Sequence, residues 1–471
     1  MSAIQPQGSV RTVRDLCELI WSVEREFNLL DLDVNGVKVW QYTRMEIYYY
    51  LAELSGVFIE AHPIKRNTRS LLAQLPRLLK ELVVESPLWL ACRKVDEVVI
   101  EHPRSAIFEG ERVDIYTHAY RESMRRSGKK VVSLNRLVPG IALKSADQNR
   151  YSLACLPLLL LAWKRIKHDR LSADALTCIN RVSVRLSSEL GREVSLEPIL
   201  SRSIGKFKLY TAFYRWLFNS IKPKKLTVVI GYACGDAIFA AKQLGIETAE
   251  IQHGTFSAYH LGYSYPGRTA EIELFPASMM IWGAYWARLV QMPIAEENCS
   301  VIGFDFFKRK LAALPSVNKH NAELVVISQG ALGDKIAACI YEYCAELQGY
   351  KLFYKLHPSE YERWREYPYL EELARSGVIE IVTDQYDLYT LLRQVGVQVG
   401  VFSTALYEGL ALGCQTILLD LPGVEYMTGL VDAGMASLAN DRPSFRLALD
   451  VRSAPANGAS DIFGVKENGE F

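Results

Sequence analysis

Gln252-His253-Gly254-Thr255 follows the short apolar run Ala249-Glu250-Ile251, and a second histidine, His260, comes seven residues later. A strand that ends by delivering an imidazole into a long polar, aromatic loop can supply a base to a reacting hydroxyl. Gly254 permits a close backbone approach or a positive φ directly after it. The loop itself, Ser257 to Arg268, carries hydroxyls, rings and a cation suited to a sugar or a phosphate, with His260, Tyr263 and Arg268 as its candidates. His253 can also be read as an imidazole bonded into its own turn.

Other strand ends carry similar groups. Gly231-Tyr232-Ala233-Cys234-Gly235-Asp236 follows Lys225–Ile230, Ser328-Gln329-Gly330 follows Glu323–Ile327, and His357-Pro358-Ser359-Glu360 follows Tyr350–Leu356. Phe402-Ser403-Thr404 follows Val397–Val401, with Glu408 one turn into the next helix. Helix N-termini present free N–H groups and a positive dipole end, which bind anions. Gly330, Ser403 and Thr404 sit in such loops; His357 beside them can donate to a phosphate oxygen, and Glu408 can accept from ribose hydroxyls. That set describes a nucleotide phosphate site, with Ser328 and Pro358 in the same loops. Asp236 is a second candidate base, though at a helix start it can equally be a cap. His62-Pro63 and His102-Pro103 repeat the His-Pro pair and are read as local turns. No GxxxxGK[ST], GxGxxG or HExxH pattern occurs, so a P-loop, a dinucleotide fingerprint and a zincin helix are unsupported.

The elements that must position these residues alternate. Short apolar strands and helices of about ten residues follow one another from 96 to 136, from 225 to 307 and from 323 to 420, which predicts parallel sheets in α/β layers. Residues 1–95 read as mainly helical, with a short hairpin through Asn35-Gly36, and 140–222 as a helical insertion. The hydrophilic link 314–323 separates two lobes. The division expected is 1–95, 96–313, 314–440 and a poorly ordered tail, 441–471, where the periodicity is lost.

The chain has 471 residues, is 49% apolar and carries a net charge of +1, so there is no global electrostatic case for nucleic acid as a partner. Nine cysteines without a CxxC pair suit a reducing compartment, and the first residues lack a signal-peptide pattern, which points to the cytoplasm. No stretch is long enough to span a bilayer. Leu153–Trp163, followed by Lys164-Arg165, reads either as a buried helix with a basic end or as a helix docked on an anionic membrane.

The order of QHGT, then KLHP, then VFSTALYEGLALGCQTILLD resembles bacterial GT-B glycosyltransferases of capsule and lipopolysaccharide synthesis. The pair His357-Pro358 and Ser403-Thr404 is similar to the HP and S/T motifs of CMP-sugar users such as Kdo transferases and sialyltransferases. The resemblance covers roughly 225–435, and 96–136 weakly. It implies two Rossmann-like lobes, the first facing the acceptor and the second the nucleotide-sugar donor. It also implies inverting transfer to a surface polysaccharide or glycolipid, without a cofactor or an obligatory metal. Ser328, Gly330, His357, Ser403 and Thr404 would meet the leaving phosphate and Glu408 the ribose. The acidic motif that carries the base in some sialyltransferases is absent, which leaves Asp236 and His253 as the alternatives. CDP-glycerol phosphotransferases share HG and HP elements; a UDP-sugar epimerase or a non-catalytic carbohydrate-binding scaffold are further readings.

Overall fold

The computed structural model describes residues 10–57, 80–91, 93–108, 111–135, 149–166, 171–268, 270–314, 317–450 and 458–464. His62-Pro63 lies outside them, as do parts of the helical insertion and of the last segment.

The first lobe is a seven-stranded sheet. Its strands are β1 (Glu97–Ile100), β4 (Val131–Asn135), β5 (Arg150–Ser152), β6 (Lys225–Val228), β7 (Glu247–Ile251), β8 (Ser278–Ile281) and β9 (Cys299–Val301). They lie in the order β5-β4-β1-β6-β7-β8-β9, every neighbouring pair parallel. An antiparallel pair of β2 (Ser105–Phe108) and β3 (Glu111–Asp114) stands apart from that sheet. The second lobe has β10 (His320–Ile327), β11 (Lys351–Lys355), β12 (Ile379–Val382), β13 (Val395–Gly400), β14 (Gln415–Leu419) and β15 (Ser437–Ala439), again all parallel, in the order β12-β11-β10-β13-β14-β15. These are two Rossmann-like lobes. Their strands read as continuous apolar runs because helices cover both faces.

In each lobe the order reverses once, between β1 and β6 and between β10 and β13. Ligands of open parallel sheets bind outside the carboxyl ends at such a switch point, where the flanking connections leave to opposite faces. His102 and Ile230-Gly231 follow β1 and β6; Ser328-Gln329-Gly330 and Phe402-Ser403-Thr404 follow β10 and β13.

The helices Val13–Glu26 and Val39–Ser55 form an arm that touches both lobes. Only one antiparallel bridge, Asp33 to Lys38, forms at the expected hairpin, because Val39 already begins a helix. Arg44 is buried and doubly bonded to Glu24; it also donates to the Leu261 and Ser264 carbonyls, so the arm pins the 253–268 loop. The N-terminus of the first arm helix rests on the second lobe, where the Glu425 carboxylate accepts the Val13 N–H at 2.9 Å. A carboxylate at a helix N-terminus is favourable there.

The expected tail is corrected where it is described. Arg442–Asp450 is a helix with Phe445 buried against the second lobe. Gly458–Phe463 is another, packed against the helix Ala284–Arg288 of the first lobe and the helix Thr404–Ala411 of the second, with Ile462 and Phe463 fully buried. Aperiodic composition hides two short helices that dock through a few apolar residues, Phe445, Ala448 and Leu449 in the first and Ile462 and Phe463 in the second.

Candidate functional site

Gln252 explains how the first lobe presents its imidazole. Its side chain is fully buried, accepts the Trp282 N–H at 2.8 Å and donates to the Gly254 carbonyl at 2.8 Å. Both ends of the turn are thereby fixed, and His253 projects between them. Its Nδ1 lies 3.2 Å from the Tyr263 hydroxyl and 3.9 Å from Glu250 Oε1. Its ring stacks on His102 at 5.6 Å and meets the edge of Tyr116 at 6.3 Å. Burial lowers His253 well below the ordinary imidazole range, and His102, His260 and Arg104 add to this.

The His102-Pro103 pair, read from sequence as a local turn, stands in this cluster. Asp114, at the end of β3, accepts the His102 N–H, and His102 Nδ1 accepts the Arg104 N–H at 2.8 Å. The Arg104 guanidinium donates to the Tyr116 hydroxyl at 3.1 Å. From there its charge reaches across to the second lobe, where it counters the effect of burial on Glu408 and helps lower His357. Arg104 thus acts electrostatically on both carboxyl edges.

The second lobe is a preassembled cradle. Gln329 bonds to both the N–H and the carbonyl of Phe402, tying the loop after β10 to the loop after β13. Glu360 is fully buried; it accepts from the Ser328 hydroxyl at 3.0 Å and from the His357 N–H at 2.8 Å. Arg363 donates to the Gly330 carbonyl. Pro358 starts the single turn that follows His357. His357 Nδ1 accepts the Ser359 N–H at 3.2 Å. The neutral ring therefore carries its proton on Nε2, and burial, Arg363 and Arg104 all lower its basicity. The exposed imidazole offers an outward donor. Ser403 caps the helix Thr404–Ala411 through its hydroxyl and the Ala405 N–H, and Thr404 lies half-buried beside it.

Other expected residues are placed differently. Asp236 is buried, with Oδ2 accepting from the Tyr42 hydroxyl at 2.9 Å and Oδ1 bonded to the Ala237 N–H. It anchors the arm from the first turn of its own helix, whose N-cap is Cys234. Tyr263 has no exposure, and its hydroxyl is engaged by Glu250 and His253, so it is not a sugar-contacting wall. Arg268 is exposed and bonds to the nearby Ala270 carbonyl. His260 is kept neutral, lowered to about 4 by burial, and lies 6.5 Å from Tyr426 of the second lobe. Glu408 is buried with the Tyr389 hydroxyl on Oε1 at 3.0 Å.

No protein-family model matches the chain, and no curated protein matches it. Solved structures are similar at low identity. UDP-GlcNAc 2-epimerase from Methanocaldococcus jannaschii is 11% identical over 80% of this chain and 97% of that one, with a TM-score of 0.47. MurG of Acinetobacter baumannii is 12% identical over 79% and 96%, with a TM-score of 0.46. The glycosyltransferase SnogD from Streptomyces nogalater is 11% identical over 79% and 95%, with a TM-score of 0.43.

Proposed function

We propose that the chain is a glycosyltransferase that moves a sugar from a nucleotide-activated donor to an acceptor hydroxyl. One observation carries this reading: Arg104, whose backbone N–H is bonded to His102 beside His253, lies close enough to the second lobe to act electrostatically on His357 and Glu408 in its cradle of donors. A base on one wall and anion-stabilising groups on the other are what the transfer needs. His253 takes the acceptor proton as the acceptor oxygen bonds to the anomeric carbon. The sugar–phosphate bond breaks, and the electron pair leaves with the phosphate. His357 Nε2–H, the amides at Ser403-Thr404 and Arg104 meet that charge, with Ser328 and Gly330 shaping the loop beside it. Glu408 exchanges Tyr389 for the ribose hydroxyls. The transfer is inverting, and protein donors rather than a metal stabilise the leaving group. On the resemblance of the His-Pro and Ser-Thr pairs, the donor is a CMP-linked sugar such as Kdo or sialic acid, and the acceptor a bacterial surface polysaccharide or glycolipid.

Calorimetric titration with CMP, CDP, UDP and GDP tests this, repeated on His357→Ala. CMP is expected to bind best, and the variant to bind it roughly 10- to 100-fold more weakly, the loss of one charge-assisted bond. Absence of binding to every nucleotide would sink the reading. A UDP preference with solvent hydrogen exchanged into the sugar would indicate an epimerase, and phosphorus in the product a polyol phosphotransferase.

The acceptor reading extends to the cytoplasmic face of a membrane. Among the described residues no helix is long and apolar enough to cross one. Val83, Val84, Leu88 and Trp89 are exposed, as are Leu158, Leu159 and Leu161 on the helix Cys155–Ile166. Ser152 holds the two segments side by side, donating its N–H to the Glu85 carbonyl and its hydroxyl to Glu81. Apolar patches of this kind mark interaction surfaces, and an interfacial helix beside basic residues binds anionic lipid. Trp89→Glu with Leu161→Glu is expected to weaken co-sedimentation with phosphatidylglycerol vesicles about tenfold or more. Unchanged sedimentation would remove the membrane from this account.

A further inference from the structure

Glu250 takes no part in the reaction as drawn, yet the fold encloses it with specific partners. It sits near the carboxyl end of β7 with no exposure, where a buried strand would ordinarily place an apolar residue. Its Oε1 is 2.5 Å from the Tyr263 hydroxyl, which is itself 3.2 Å from His253 Nδ1. Space for the carboxylate depends on Gly231, where a Cβ would overlap Glu250 Oε2. The turn that brings Gly231 there holds Ile230 at φ 62°, the left-handed region that a β-branched residue rarely enters. Strain of this kind persists where the surroundings enforce it and clusters at functional sites.

We propose that His253, Tyr263 and Glu250 form a proton wire, so that the acceptor proton enters at His253 Nε2 and comes to rest on Glu250. The inference rests on the transferase reading of the same site. The steps balance without a further reactant. The acceptor O–H proton bonds to Nε2, the Nδ1 proton passes to the Tyr263 oxygen, and the Tyr263 proton passes to Glu250 Oε1. A carboxylate becomes a carboxylic acid while histidine and tyrosine end neutral. Tyr263 and Glu250 are positioning residues in this scheme, since neither touches substrate.

The environments favour that direction. Burial disfavours the imidazolium of His253, so a proton held there alone is costly. Burial pushes Glu250 up to about 7, partly offset by the Tyr263 hydroxyl and the Gly231 and Ile230 amides. A carboxylate poised near neutrality is a suitable proton sink, and Tyr263 is within hydrogen-bond distance of both it and His253. The titratable and charged groups facing the wire are Tyr116, Tyr232, Cys234, Tyr265, His102, His260 and Arg104.

The state of Glu250 then sets the tautomer of His253. With Glu250 ionised, Tyr263 donates to it and accepts from Nδ1–H, leaving Nε2 a lone pair. With Glu250 protonated the chain reverses and Nε2 carries the hydrogen. Nitrogen-15 spectra of the full chain, labelled at histidine and assigned with His253→Gln, read this without any substrate. The expected result is the Nδ1–H tautomer at pH 8, changing to Nε2–H as pH falls through about 7, and no such change in Glu250→Gln. Tyr263→Phe, which removes only a hydroxyl, should abolish the change too, and serves if the first variant does not fold. An Nε2–H tautomer at pH 8, or an identical response in wild type and Glu250→Gln, would overturn the wire. Because the spectra need no turnover, they decide the wire even if the transferase reading fails. Where turnover is observed, Glu250→Gln is expected to lower kcat about 100-fold and remove its acid limb near pH 7, with donor KM unchanged.

Discussion

Replacing His253 with glutamine is expected to lower turnover by about 10²- to 10⁴-fold, the usual contribution of a positioned base. Nucleotide affinity should change by no more than about twofold, because the proposed phosphate cradle of His357, Ser403 and Thr404 belongs to the other lobe. Glutamine keeps much of the size of imidazole, and Gln252 would still hold the turn through Trp282 and Gly254. Steady-state donor consumption and calorimetry on the same preparation separate the two effects. A variant that turns over within tenfold of the wild type would strip His253 of the base role. A variant that loses nucleotide affinity as well as turnover would mean that the imidazole organises the cleft instead of accepting a proton.

Phe463→Ala is expected to destabilise the protein by about 3–5 kcal/mol, the range for truncating a fully buried aromatic. The ring has no exposure and lies 4.5 Å from Phe307 and 5.8 Å from Trp282, centroid to centroid. Next to it, Ile462 gives its carbonyl to the Trp286 indole at 2.7 Å, and Gly283 admits the Asp461 backbone where a Cβ would collide with it. The segment is therefore docked by shape and by hydrogen bonds. Denaturation followed by the fluorescence of Trp282 and Trp286 measures the effect, as a shift of the unfolding transition to lower guanidinium. A change below about 1 kcal/mol would mean that the helix contributes little and that these residues behave as the tail their composition suggests. The sequence reading erred here because six residues are too few to show a period.

The site was legible to different depths. His253, His357, Ser403 and Thr404 were marked by one rule: polar or small groups directly after an apolar strand. Asp236 satisfied the same rule and fails in space, because the arm helix supplies Tyr42 to bond it. Tyr263 fails likewise; a tyrosine in a polar loop looks available until the arm, through Arg44, draws that loop down onto Glu250. His102 and Arg104 were passed over because the antiparallel pair β2–β3, which returns Asp114 to the His102 amide, joins residues twelve apart. Glu250 did leave a signal. An acid between Ala249 and Ile251, in a strand with no other reason to carry charge, requires a partner.

Local pattern determined the strands, the helices, their alternation and hence the two parallel-sheet lobes. Those properties depend on residues within a few positions of each other, and apolar periodicity records them directly. Only the tertiary structure decided which polar strand ends share a space. That the arm clamps the 253–268 loop, that Arg104 reaches Glu408 and His357, and that a buried glutamate stands behind His253 are consequences of contacts between distant segments. A single sequence carries no periodic trace of such contacts, because each depends on the partner's position and not on its neighbours in the chain.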